Sequence, residues 1–134
     1  MSELVFIDTS VWILALRAGG PVAVRQEVEQ LLATGRVATT PILILELLTG
    51  TRSLREFREL KEDLEALKQL ELSPPVRERA YKLGYDLRRA GLTIPTVDIM
   101  IAALALEYDC LLLHADRHFE QIAQHSSLQT KSLA

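Results

Sequence analysis

The stretch LVFIDTS, residues 4–10, decides the fold class of this chain. Its apolar run predicts a short buried strand, and Thr9 and Ser10 mark the start of a helix directly after it. The stretch CLLLHAD, residues 110–116, repeats this order of apolar run and acid. Short apolar strands that alternate with helices are typical of a parallel sheet covered on both faces. The sequence therefore predicts an α/β fold.

Helical and strand patterns fill the rest of the chain. The predicted helices lie at 9–18, 22–33, 41–48, 53–70, 74–90, 96–109 and 116–124. The predicted strands lie at 4–7, 36–39, 70–72 and 110–114, and a further edge strand starts near Leu128. There are no repeats, low-complexity tracts or flexible linkers. We expect residues 1–134 to form one domain.

Composition excludes several classes of protein. Hydrophobic residues make up 49% and charged residues 25%, which is ordinary for a globular protein and unlike a disordered or fibrous one. A net charge of −3 argues against a basic nucleic-acid coat protein, but not against an enzyme whose bound metal supplies positive charge. The single cysteine, Cys110, in an apolar run, and the lack of a signal peptide or a long apolar span predict a cytoplasmic protein.

Acidic residues occupy the positions where a parallel sheet binds ligands. Such sites lie beyond the carboxyl ends of the strands, where Asp8 and Asp116 follow their apolar runs. Asp98 falls in the first turn of its helix if Thr96 is the N-cap. Glu46 stands inside the apolar helix PILILELLTG, residues 41–50, where we expect its carboxylate to be shielded from water. The sequence thus gives four candidate acids from four segments.

Each acid also has an ordinary explanation. Asp8 and Asp116 could cap the helices that follow them, and Asp98 could complement a helix dipole. Glu46 could pair with a buried Arg52. A metal site accounts for all four acids together, because convergent carboxylates repel one another unless a cation neutralises them. Oxygen ligands without paired histidine or cysteine partners favour Mg²⁺ or Mn²⁺ over Zn²⁺.

Four motifs in a fixed order carry a family resemblance. They are VFIDTSVWI at 5–13, ILELLTG at 44–50, LRRAGLTIPTVDIMIAALAL at 87–106 and LLLHADRHFEQIA at 111–123. Together they resemble the PIN-domain ribonucleases, and among these the VapC toxins of prokaryotic type II toxin–antitoxin pairs. The resemblance implies a three-layer α/β/α sandwich around a mostly parallel sheet of four or five strands. It also implies endonucleolytic RNA cleavage that uses one or two Mg²⁺ or Mn²⁺ ions and leaves a 5′-phosphate and a 3′-hydroxyl.

The resemblance assigns roles to particular side chains. The residues that match the family's metal-binding catalytic cluster are Asp8, Glu46, Asp98 and Asp116, with Thr9 and Ser10 as supporting hydroxyls. Asp8 and Asp98 are expected to bind metal directly, and Asp98 is a candidate acceptor of the water proton. Many PIN domains place a threonine or serine two residues before the last aspartate. This chain has His114 there, which we expect to be a packing residue.

Partners follow from the same resemblance. It implies a VapB-like antitoxin that covers the site, a homodimer, and tRNA or rRNA as substrate. The segments 11–16, 24–32 and 54–67 offer apolar faces that could contact a partner helix or belong to the internal core. Four side chains could contact RNA phosphates or could simply be exposed polar groups: Arg17, Arg52, Arg117 and His118. His125 is predicted to be an ordinary surface residue.

Two other classes of function fit the sequence less well. A non-catalytic PIN-fold module that binds protein or RNA would have little use for several acids in one crevice. An acid-pocket phosphoryl-transfer protein fits poorly, because DTSVW, residues 8–12, has no second aspartate two positions on. The stretch CLLLHADRH, residues 110–118, also lacks a lysine at the strand end.

Overall fold

The computed structural model describes residues 3–134. Its strands are β1 (Val5–Ile7), β2 (Val37–Thr39), β3 (Lys68–Gln69), β4 (Leu111–His114) and β5 (Thr130–Ser132). Its helices are α1 (Thr9–Leu16), α2 (Val22–Ala33), α3 (Pro41–Thr49), α4 (Leu54–Glu65), α5 (Pro74–Arg89), α6 (Thr96–Glu107) and α7 (Arg117–Gln124). The predicted alternation of strands and helices is confirmed.

The strands form one parallel sheet in the order β3-β2-β1-β4-β5. Phe6 at the centre of β1 is in register with Ala38 of β2 and Leu112 of β4. Every residue of β1 and β2 is buried. Central strands with no solvated face are expected where helices cover a parallel sheet on both sides.

The helices fall into two layers. Connections between parallel strands are right-handed, so crossovers that run in opposite directions along the sheet lie on opposite faces. The steps from β1 to β3 run one way, and those from β3 to β5 run the other way. In agreement, α1 contacts α2 and α3, and α3 contacts α4, whereas α6 contacts α5 and α7. This is the predicted three-layer α/β/α sandwich, with five strands that are all parallel.

The segment after α4 differs from the prediction. The helix predicted at 53–70 ends at Glu65, and the third strand is Lys68–Gln69 rather than 70–72. The Gln69 side-chain amide donates to the backbone carbonyls of Leu64 and Leu67, which satisfies acceptors at the helix end. The backbone N–H of Leu70 then donates to the carbonyl of Thr39 at the end of β2. Pairing with β2 overrides the helical pattern of leucines.

Helix termini are placed largely as their residues predict. Pro41 is the first residue of α3 and Gly50 is its C-cap. Ser53 caps α4 by accepting a hydrogen bond from the backbone N–H of Glu56. Among residues 3–134, no helix combines the length and apolar character that crossing a bilayer requires.

Candidate active site

The strand order reverses between β1 and β4, and the candidate site lies at their carboxyl ends. The backbone N–H of Asp8 donates to the Leu113 carbonyl at 2.9 Å, so the end of β1 is held against β4. Asp8 is the N-cap of α1 and Asp116 is the N-cap of α7. Both acids therefore cap helices, as one of the predicted alternatives stated. Both also lie at the sheet edge where parallel sheets bind ligands.

Ser10 joins the two strand ends through its hydroxyl. Asp8 is buried, and its Oδ2 accepts hydrogen bonds from the Ser10 backbone N–H at 3.0 Å and from Ser10 Oγ at 2.6 Å. Ser10 Oγ also accepts from the backbone N–H of Ala115 at 3.0 Å. Among residues 3–134, no group donates to Asp8 Oδ1. The serine therefore orients the aspartate while one carboxylate oxygen stays available to a ligand.

Asp98 lies in the first turn of α6, as predicted, although the N-cap is Pro95 and not Thr96. Its side chain is only 17% exposed. Burial raises the pKa of Asp98 from 3.8 to about 6, and the negative charges of Asp116 and Asp8 add to the rise, while a hydrogen bond with His118 opposes it. The raised pKa of Asp98 thus results mainly from burial and in part from the neighbouring carboxylates of Asp116 and Asp8.

His118 brings a nitrogen into this acidic cluster. Its Nδ1 lies 3.0 Å from Asp98 Oδ2 and 3.2 Å from Asp116 Oδ1. Its backbone N–H also donates to Asp116 Oδ1 at 2.9 Å. The sequence predicted His118 only as a phosphate contact or a solvated residue, so this position was missed. The available signal was its place two residues after the N-cap Asp116, in the first turn of a helix.

The donor atoms fit a divalent cation. In Asp98, Asp116 and His118, one ligand atom from each side chain lies within 4.8 Å of the others. Adjacent ligands of an octahedral ion with bonds of ~2.1 Å are about 3.0 Å apart, close to the 3.0 and 3.2 Å that separate His118 Nδ1 from the two carboxylates. Carboxylates suit Mg²⁺ and Mn²⁺, and the imidazole nitrogen favours the transition metal of the two.

Glu46 lies at the rim of the site and is not shielded from water. The core-facing residues of α3 are Leu43, Ile44 and Leu47, so Leu45 and Glu46 fall on the solvent side. The expectation that the Glu46 carboxylate is shielded from water was wrong. Its Oε1 accepts a hydrogen bond from Thr9 Oγ1 at 3.2 Å, which connects it to the residue after Asp8.

The alternative role of Glu46 in a buried ion pair was also wrong. Arg52 is exposed, and no ion pair joins it to Glu46 within residues 3–134. Glu46 is likewise absent from the group of three closely spaced donors. The structure thus brings Asp98, Asp116 and His118 together, places Asp8 beside them, and connects Glu46 only through Thr9.

His114 supports the loop that carries Asp116. The imidazole is fully buried, and its Nδ1 accepts from the backbone N–H of Asp116 at 3.2 Å. Because Nδ1 is an acceptor, Nε2 carries the proton and donates to Glu120 Oε1 at 2.9 Å. The ring also packs against Phe119, with 5.4 Å between ring centroids. The predicted packing role of His114 is confirmed, and His125 is exposed as expected.

A groove lies beside Glu46 and contains two of the predicted phosphate contacts. It has a volume of about 700 Å³ and is formed by α1, α3, α4 and the segments that follow α1 and α3. Arg17 and Arg52 line it together with the apolar side chains of Ile13 and Leu16. Arg17, Arg52 and Arg117 are all exposed.

The fold and the acidic cluster define a class of protein. The PIN domain family matches residues 5–124, and the chain belongs to this family. Ribonuclease VapC11 from Mycobacterium tuberculosis is 32% identical over 133 residues, which cover 96% of this chain and 98% of that protein. Ribonuclease VapC51 from the same organism is 35% identical over 120 residues, which cover 87% of this chain and 83% of that protein.

Solved structures show the same fold. VapBC2 from Rickettsia felis, in complex with a promoter DNA fragment, contains a chain that matches with a TM-score of 0.81 at 19% identity, over 98% of this chain and 99% of that one. VapC20 from Mycobacterium tuberculosis, described as a sarcin-ricin loop cleaving toxin, matches with a TM-score of 0.62 at 20% identity, over 87% of this chain and 92% of that one.

Proposed function

We propose that this protein is a VapC-type toxin, a metal-dependent endoribonuclease that hydrolyses RNA phosphodiester bonds. The observation that carries the proposal is that Asp98, Asp116 and His118 have donor atoms spaced for a divalent ion, with the charge of Asp8 close enough to raise the pKa of Asp98. Ribonuclease relatives at 32% identity over nearly the full length support the same activity. A pure binding scaffold has no need for a cluster of repelling carboxylates.

The chain's own side chains divide the work of cleavage. Asp8 and Asp98 hold Mg²⁺ or Mn²⁺, one ion or two, and Asp116 completes the acidic cluster. A bound ion supplies a water of lowered pKa and stabilises the leaving 3′-oxygen. Ser10 keeps Asp8 oriented through the two bonds to Oδ2. Asp98 is the candidate acceptor of the water proton, and a bound cation would lower its pKa from the value of about 6 that it has without metal.

Glu46 and Thr9 form the outer part of the proposed site. The hydrogen bond from Thr9 Oγ1 holds the exposed Glu46 carboxylate near the residue that follows Asp8. In this position Glu46 orients the attacking water or contributes to a second ion. Arg17, Arg52, Arg117 and His118 remain the proposed phosphate contacts; for His118 only Nε2 is available, because Nδ1 lies against the acids.

The proposed partners are a VapB-like antitoxin, RNA such as tRNA or rRNA, and a second copy of the chain. Structures of VapBC complexes from several bacteria support the antitoxin. Ile13 and Leu16 are 52% and 53% exposed in the groove, which would accept the apolar face of an amphipathic segment. Val24 and Val28 of α2 belong to the internal core instead. We also propose that the protein acts in the cytoplasm.

Cleavage of RNA by the purified protein tests the proposal. A labelled RNA is incubated with Mg²⁺, with Mn²⁺ or with EDTA, using wild type, Asp8→Asn and Asp98→Asn. We expect cutting only with metal, by the wild-type protein but by neither Asp8→Asn nor Asp98→Asn, because both substitutions remove a ligand charge at a retained fold. The matched control is Asp63→Asn on α4, which removes an exposed acid outside the cluster.

Three outcomes would contradict the proposal. Undiminished cutting by both Asp8→Asn and Asp98→Asn, or cutting that EDTA does not affect, would exclude metal-dependent catalysis by these acids. RNA binding without any cutting under all conditions would favour the non-catalytic PIN-fold module. Circular dichroism of each variant separates loss of activity from loss of fold.

A further inference from the structure

Helix α5 exposes two tyrosines on one face. Its core-facing side chains, Val76, Ala80, Leu83 and Leu87, are buried. On the outer side, Tyr81 and Tyr85 are 65% and 60% exposed. Because they are four residues apart in a helix, their rings lie on one face, one turn apart. Large exposed aromatic groups at such spacing are candidates for a contact with another molecule.

Two cations lie over the Tyr85 ring. The Arg89 guanidinium lies 5.8 Å from the centroid of the Tyr85 ring, and Lys82 Nζ lies 5.6 Å from it. Lys82 is paired with Asp86 at 2.7 Å, so that charge is neutralised. Within residues 3–134, Arg88 and Arg89 have no carboxylate at ion-pair distance. We call Tyr81, Tyr85, Arg88 and Arg89 the tyrosine–arginine face.

The tyrosine–arginine face belongs to the helix that packs against α6, the helix that carries Asp98. Helices α5 and α6 pack side by side and run in opposite directions. In the first half of α5, Arg79 pairs at 2.7 Å with Glu107 at the end of α6. Further along α5, Gly84 approaches the start of α6, since a Cβ at Gly84 would lie 3.6 Å from Ile99 Cδ1. Ile99 directly follows Asp98, and Gly84 directly precedes Tyr85. The C-terminal end of α5 is therefore next to the first turn of α6.

We propose that the tyrosine–arginine face binds single-stranded RNA next to the bond that is cut. Bases stack on Tyr81 and Tyr85, and Arg88 and Arg89 contact the flanking phosphates. The inference rests on the proposed ribonuclease function, because it assigns the path of that substrate. Aromatic rings with adjacent arginines form the stacking platforms that bind single strands with little dependence on sequence.

The charges favour RNA over a second copy of the chain. A two-fold dimer formed through this face buries the same patch of both subunits, so it would bring four arginines without ion-pair partners among residues 3–134 into one interface. Phosphates instead complement both arginines. The acid Glu78 is exposed on the same helix, but it lies one turn before Tyr81, toward the end of α5 that is distant from Asp98.

Binding of RNA without cleavage tests the inference. A fluorescein-labelled single-stranded RNA oligonucleotide is titrated with protein in EDTA, and its fluorescence anisotropy is measured. We expect the double variant Tyr81→Ala/Tyr85→Ala to bind at least about 5-fold more weakly, since base–aromatic stacking is worth that much or more per base. The double variant Tyr81→Phe/Tyr85→Phe should bind like wild type because its rings still stack. Leu45→Ala, at a side chain 64% exposed on α3, is the control for loss of an exposed apolar group.

The dependence of RNA affinity on salt concentration tests the arginines separately. Arg88→Gln/Arg89→Gln should lower the slope of log affinity against log salt by roughly 0.7 for each RNA phosphate that the variant no longer neutralises. Arg55→Gln removes an exposed cation that is paired with Glu59 on α4 and should leave the slope unchanged. In cleavage of the same RNA with metal present, the tyrosine-to-alanine variant should raise KM and leave kcat nearly unchanged.

Specific results would overturn the inference. RNA affinity of Tyr81→Ala/Tyr85→Ala equal to that of wild type would do so, as would the same loss in the phenylalanine variant. If light scattering shows that the wild-type protein is a dimer and Tyr81→Ala/Tyr85→Ala is a monomer, the face is a contact between copies of the chain. If the wild-type protein cuts RNA and these variants bind RNA normally, only this inference fails. If the wild-type protein never cuts RNA, the proposed function fails independently of this face.

Discussion

Replacing Asp98 with asparagine should stabilise the metal-free protein at alkaline pH. The folded protein holds this carboxyl group in a largely buried position beside the negative charges of Asp116 and Asp8, which is why its pKa is raised to about 6. The unfolded chain has no such surroundings. Ionised Asp98 therefore opposes folding whenever no cation is bound, and the amide of Asp98→Asn removes the charge while it can still hydrogen-bond His118.

The pKa of Asp98 sets the size and the pH range of this effect. One pKa unit corresponds to about 1.4 kcal/mol. A rise in the pKa of Asp98 from 3.8 to about 6 therefore means that its ionised carboxylate lowers the free energy of unfolding by at most about 3 kcal/mol. Because the folded pKa is the higher one, the folded state binds the proton more readily. The contribution of Asp98 to the free energy of unfolding of the wild-type protein is therefore least favourable above pH 6. It becomes more favourable as the pH falls from 6 toward 4. The asparagine variant should be more stable by about 1–3 kcal/mol at pH 8, with little difference at pH 4.

Urea unfolding in EDTA measures the difference directly. The single tryptophan, Trp12, is buried and gives a fluorescence signal for unfolding. The control variant Asp63→Asn should change stability by at most about 0.5 kcal/mol at either pH, as is usual for an exposed site. If Asp98→Asn is no more stable than wild type at pH 8, or gains the same amount at both pH values, charge repulsion does not act on Asp98 as described.

Three further substitutions test the supporting residues. Ser10→Ala should lower the free energy of unfolding by about 1–3 kcal/mol, because Asp8 loses a buried donor; an unchanged urea midpoint would contradict this. His114→Ala should cost about 2–5 kcal/mol through a cavity and an unpaired Asp116 N–H, and His114→Asn should recover part of it in the same assay. Glu46→Gln should change stability by less than about 0.5 kcal/mol but reduce RNA cleavage, and equal activity would exclude Glu46 from the site.

The sequence was sufficient to place Asp8 and Asp116. Both follow apolar runs, and the rule that parallel strands end at the same edge brings them together before any packing detail is known. Asp98 was found for a related reason, since a first-turn position after a helix start is visible in the sequence. These predictions needed only local patterns and the direction of the chain.

Positions that depend on side-chain packing were not predictable in this way. Glu46 has apolar neighbours on both sides in sequence, but its exposure depends on which residues of α3 face the core. The contact of His118 with Asp98 depends on one rotamer and on how α6 and α7 pack. Strand β3 forms inside an amphipathic pattern because β2 offers it a free edge, a tertiary interaction that sequence periodicity does not report.

Direct measurement of metal binding tests the central claim that these acids form a divalent-cation site. Mn²⁺ is titrated into the metal-free protein, and free Mn²⁺ is followed by electron paramagnetic resonance for wild type, Asp98→Asn and Asp63→Asn. We predict that wild type and Asp63→Asn bind Mn²⁺ alike, and that Asp98→Asn binds at least about tenfold more weakly, because one tenfold step requires only about 1.4 kcal/mol. Equal Mn²⁺ affinity of Asp98→Asn and wild type, or no binding by wild type, would contradict the claim.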